Sequence, residues 1–127
     1  MAYNFQIYFS RSNYGILTLS QKAIEGETLW LQNNCNSCHQ IYGLGGYLGP
    51  DLTNVYSHRN YNDNYIKGML VSGVQSMPQF RFSPQEQEAL LQYLKEVDAT
   101  GYFPAEKAQI KFTGWIELDY KDNSYEK

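Results

Sequence analysis

The pattern of apolar and polar positions divides the chain into an arm and three helices. From Tyr3 to Leu19 aromatic and β-branched residues surround the turn cluster Ser10-Arg11-Ser12-Asn13-Tyr14-Gly15, which predicts an extended arm. Ala23, Gly26 and Trp30 then fall on one face of a helix predicted from about Ser20 to Asn33, with Ser20 as its N-cap. Gly26 is costly there, about 1 kcal/mol against alanine, so another backbone or a ring should approach at that point. A second helix is predicted from Asn64 to Ser72, with Asp63 as N-cap and Gly73 past its end. Ser83-Pro84-Gln85-Glu86 opens a third with an N-cap, a proline at the first helical position and a capping-box glutamate. Its apolar face, Leu90, Leu91, Tyr93, Leu94 and Val97, should end near Asp98, ahead of the breakers Gly101 and Pro104.

Between the first two helices lie Gly43, Gly45, Gly46 and Gly49, too many for regular structure and suited to a loop folded tightly against something flat, such as a planar cofactor. The 127 residues allow one domain, and 43% apolar content supports a packed core. A net charge of −3 with interspersed signs argues against a nucleic-acid partner or a polybasic membrane patch. No apolar run nears the roughly 20 residues of a membrane span, and Met1-Ala2 opens no signal peptide, so the start reads as an engineered one.

Both cysteines lie in Cys35-Asn36-Ser37-Cys38-His39. This is the C-x-x-C-H signature of c-type haem attachment, in which two thiols meet the two vinyl groups and the next residue reaches the iron. A zinc ribbon would need a second C-x-x-C, and a thioredoxin motif would follow a strand rather than a helix. Met77, His58 and Met69 are candidates for the iron's sixth position. Met77 is favoured, because it sits in a loop stiffened by Pro78, whereas Met69 inside the second helix reads as core filler and His58 as a surface or haem-edge residue. Met/His ligation suits electron transfer and argues against a haem enzyme or gas sensor with an exchangeable position. The Pro50 carbonyl is the expected acceptor for the second ring nitrogen of His39. Tyr47, Asn54, Tyr56 and Arg59 are expected to skirt the haem propionates, with Arg59 as the charge partner.

At these residues the chain resembles class I cytochromes c over about Gly26 to Val97, which implies an all-α fold around one covalent haem c, with crossing N- and C-terminal helices. Gly26 with Trp30, and Leu90 with Tyr93, match the family's helix-crossing residues. Gly26-Glu-Thr-Leu-Trp30, Asn33-Asn-Cys35, Gly43 to Val55 and Met77-Pro-Gln-Phe80 are more narrowly similar to the cytochrome c subunit of bacterial nitric oxide reductase. That subunit usually carries an acidic residue at the position of Leu44 and alanines at those of Gly46 and Gly49.

The narrower resemblance implies an electron-entry subunit that takes electrons from a soluble donor and passes them to a membrane-embedded catalytic subunit. It implies membrane contact in the full-length protein and a place at the periplasmic face of the bacterial cytoplasmic membrane. The organisation expected is an arm over 1–19 following a removed anchor, a cytochrome domain over 20–100 and a tail over 101–127. A free periplasmic shuttle is the rival within the same chemistry. It has less use for the aromatic arm and for a tail carrying Ile110, Phe112, Trp115 and Tyr120.

Overall fold

The computed structural model describes residues 18–103, 109–114 and 116–117. The predicted arm up to Leu17, and Trp115 and Tyr120 of the tail, lie outside them. Four helices carry the described residues: α1 (Gln21–Gln32), α2 (Val55–His58), α3 (Asp63–Ser72) and α4 (Pro84–Thr100). A 3₁₀ turn, Cys35–Ser37, follows α1. Two antiparallel hairpins of two-residue strands complete the fold: β1 (Gln40–Ile41) with β2 (Leu44–Gly45), and β3 (Gln109–Ile110) with β4 (Ile116–Glu117).

The Ser20 side chain accepts the Ala23 N–H at the start of α1. At the same time its own N–H and hydroxyl donate to the buried carboxylate of Glu96 on α4. The crossing of α1 and α4 centres on Gly26, where a Cβ would overlap the Ala89 carbonyl and lie 2.8 Å from the Tyr93 Cβ. The glycine is thus required by a backbone running over it. Ala23, Trp30, Ile66, Leu90, Leu91, Tyr93, Leu94 and Val97 form the core between α1, α3 and α4.

Two boundaries differ from expectation. Asn62, not Asp63, caps α3, accepting the Tyr65 N–H at 3.1 Å from an extended backbone. Asp63 stands one residue inside the helix, and its carboxylate pairs with Lys95 of α4 at 3.0 Å. Helix α4 starts with the expected capping box and runs two residues past Asp98, whose buried carboxylate accepts from the N–H and hydroxyl of Ser57 in α2. Helix α2, of four residues, is too short to leave a periodic signal.

Candidate functional site

The cysteine motif is delivered by a sharp exit from α1. Asn33 turns its side-chain amide back onto the Leu29 carbonyl at 2.8 Å, and Asn34 takes the left-handed conformation (φ 54°) that asparagine tolerates. The 3₁₀ turn that follows has three residues per turn, so Cys35 and Cys38, three apart, emerge on the same side. Both are half-buried free thiols. Burial pushes the Cys35 thiol up, a backbone hydrogen bond opposes that, and neighbouring Cys38 adds to the rise. The His39 N–H closes the turn on the Cys35 carbonyl at 2.9 Å.

His39 is held on three sides. Its Nδ1 lies 2.9 Å from the Pro50 carbonyl, which can only accept, so this nitrogen is the donor and Nε2 keeps its lone pair for a metal. The Trp30 ring centroid stands 6.3 Å from the imidazole and 6.0 Å from the Tyr93 ring, which links the site to the helix crossing. On the remaining side a Cβ at Gly49 would come within 2.5 Å of Cε1.

The loop glycines are packed tightly against protein groups. Gly49 lies against the imidazole and Gly43 against the Phe103 ring, while Gly45 and Gly46 press on the backbone of His39 and Ser37. Gly46 and Gly49 also donate their N–H groups to Asn36 and Cys38, at 2.9 and 2.7 Å. Alanines at 46 and 49 would not fit this packing.

Sequence reasoning missed the polar residues that shape the loop. Buried Gln40 donates its side-chain amide to the Gly46 and Gly49 carbonyls. The Asp51 carboxylate accepts from Gly43 and Thr53, both at 2.8 Å, and the fully buried Thr53 hydroxyl accepts from the Tyr42 N–H. No local pattern announces such residues, since a glutamine or threonine in a glycine loop is ordinarily solvated.

The other candidates scatter. Met77 is half-buried in the loop between α3 and α4, and its N–H bonds the Val74 carbonyl at 2.8 Å. Met69 is half-buried within α3, and His58 is exposed at the end of α2. Tyr47 is 84% exposed, with its hydroxyl 3.4 Å from the Gly43 carbonyl. The Arg59 guanidinium lies 4.8 Å from the centroid of the Tyr65 ring. Asn54 is buried, and its amide is taken up by Asp98, Gly101 and Phe103.

A covalently held haem fits these residues. Two thiols share one side of a turn, an imidazole has one nitrogen tied down and the other available, and a thioether stands in a loop. Soft sulfur and nitrogen donors suit haem iron. Leu44 and Leu48 leave apolar surface on the loop beside the motif, which a flat apolar group would cover.

The profile of the cytochrome c family matches residues 23–98. The C subunit of nitric oxide reductase from Stutzerimonas stutzeri is 28% identical over 99 residues, covering 71% of this chain and 66% of that protein. Its counterpart from Halomonas halodenitrificans is 27% identical over 92 residues, covering 63% and 61%. A cytochrome c-553-like protein of Synechocystis is 40% identical over 93 residues, covering 72% of this chain and 81% of that protein. The chain thus spans about two thirds or less of these two reductase subunits.

Proposed function

This chain belongs to the cytochrome c family, and from that premise we propose that it is the electron-entry subunit of a membrane-embedded oxidoreductase of the nitric oxide reductase type. As a c-type cytochrome it carries one electron at a time on covalent haem c. Bound at this site, the haem supplies the one-electron iron couple, and every other part of the task falls to the chain.

In this reading Cys35 and Cys38 would hold the haem by thioether bonds, and His39 Nε2 and the Met77 thioether would bind its iron. The Pro50 carbonyl would keep the Nδ1 proton of His39 in place and so fix the tautomer and orientation of the ring. Trp30 and Gly49 also border the ring. A soluble protein is the donor, and the catalytic subunit, at the periplasmic face of the membrane, is the acceptor. The observation that carries this reading is the imidazole of a C-x-x-C-H turn with Nδ1 engaged and Nε2 free, in a chain similar to two nitric oxide reductase subunits.

The test is direct electron donation. Reduced holoprotein mixed with the detergent-solubilised catalytic subunit of a nitric oxide reductase should be oxidised on addition of nitric oxide, with a rate that saturates in the catalytic subunit. Oxidation no faster than in buffer would overturn the assignment. A free electron shuttle is the second reading, favoured by the 40% identity to a protein of which the chain covers 81%. Recovery of the native protein in the soluble fraction, rather than with a membrane oxidoreductase, would decide for the shuttle.

A further inference from the structure

We propose that Asn54 and Phe103 are positioning residues for the axial imidazole, forming a strap that sets the hydrogen bond between His39 and Pro50; this rests on the reading of His39 as an iron ligand.

Asn54 occupies the N-cap position of α2, where asparagine is among the best residues for the purpose, yet its side chain makes no capping bond. Buried instead, it donates from Nδ2 to the Gly101 carbonyl at 2.6 Å and to the Asp98 carbonyl at 3.3 Å, and accepts the Phe103 N–H on Oδ1 at 2.8 Å. These bonds turn the chain leaving α4 back across the glycine loop. The Phe103 ring lands on Gly43, where a Cβ would meet Cζ at 2.7 Å, and stands edge-on to Tyr42 with centroids 6.1 Å apart. The Tyr42 hydroxyl bonds Thr100 at the end of α4, a second tie between loop and helix.

What lies beneath the ring leads to the iron ligand. The Gly43 N–H donates to the Asp51 carboxylate at 2.8 Å. Asp51 follows Pro50, whose carbonyl takes Nδ1 of His39 at 2.9 Å. Pressure from Phe103 on Gly43 therefore reaches the imidazole through one hydrogen bond, one peptide link and a second hydrogen bond. That last bond governs the basicity of the ligand, because a firmer Nδ1–H···O contact leaves more electron density on Nε2 and favours ferric iron. Loosening the strap should favour the ferrous state.

The experiment uses the haem-loaded full chain, with thioether attachment checked first in the parent protein by its pyridine haemochrome. Phe103→Ala and Asn54→Ala should each move the reduction potential in the positive direction and make the Nδ1 proton of His39 exchange with solvent about tenfold faster. Glu96→Gln loosens Ser20 at the far side of α4 and serves as the comparison. It should lower the melting temperature and leave potential and exchange unchanged. Phe103→Leu keeps apolar bulk and should show the same two shifts at smaller size, so the test stands even if the alanine variant binds no haem. Strap variants that behave like Glu96→Gln, less stable with potential and exchange unmoved, would overturn the proposal and leave the haem reading intact. A parent protein without thioether-bound haem overturns both.

Discussion

At the scale of single residues, a missing methyl group decides how closely two backbones approach. Gly26→Ala gains helix propensity of about 1 kcal/mol. It also drives a Cβ into the Ala89 carbonyl, and that backbone cannot swing aside. Overpacking costs about 1 to 3 kcal/mol, so a net loss of up to about 2 kcal/mol is expected, read as a melting temperature lower by up to roughly 15 °C. An unchanged melting curve would mean that α1 and α4 separate without cost. Met77 is tested in the loaded protein. Met77→Ala should abolish the weak sulfur-to-iron band of the ferric spectrum, lower the potential and open the iron to carbon monoxide. If Met69→Ala does this instead, the ligand lies on α3.

At the scale of elements, α4 acts as a post to which the other helices are tied by carboxylates. Glu96 accepts from Ser20 at the start of α1, and Asp98 from Ser57 of α2. Burial pushes the Glu96 carboxyl up, but hydrogen bonds from Gln92 and from the side chain and backbone of Ser20 outweigh it, so the pKa ends below the ordinary glutamate value. A group depressed in the folded state contributes stability that is fully present above its unfolded pKa and is lost as pH falls through the folded one. Glu96→Gln should therefore be less stable than the parent at neutral pH, and the gap should narrow on acidification, as followed by thermal melts at several pH values. A constant gap would show that the negative charge is not what holds Ser20. At the other end of α4, Ser83→Ala removes one half of the capping box and should cost about 1 kcal/mol by denaturant titration.

At the scale of the molecule, the described core is small: eight buried apolar side chains between α1, α3 and α4. In the proposed reading the haem forms part of the interior. Replacing both Cys35 and Cys38 by alanine should yield little stable holoprotein and a sharply lower melting temperature, since a group that binds only the folded state stabilises it by mass action. An unchanged melt would contradict folding around the haem. Trimming the ends of the chain tests whether they serve the proposed interface. Ending the chain after Phe103 and removing residues 1–17 should keep the haem spectrum while weakening binding to the catalytic subunit. Ending it after Thr100 also removes the strap on Gly43, and the potential should move as in Phe103→Ala.

The sequence by itself determined whatever is written in adjacent or periodic residues. Cys35, Cys38 and His39 share one turn, so their chemistry needs no fold to be recognised. Ser20, Ser83-Pro84 and Glu86 mark helix starts because a cap satisfies donors only two or three residues away. The cost of Gly26 in a helix announced a close approach before its partner was known. Tertiary structure alone decided what depends on residues far apart in the chain. That Ala89 crosses Gly26, that Gly49 faces an imidazole and that Phe103 rests on Gly43 are outcomes of packing, which leaves no periodic trace. Asn54 makes the difference plain. From sequence it was a polar residue near the propionates, but burial demanded partners for its whole amide, and only the chain folding back from α4 could supply them.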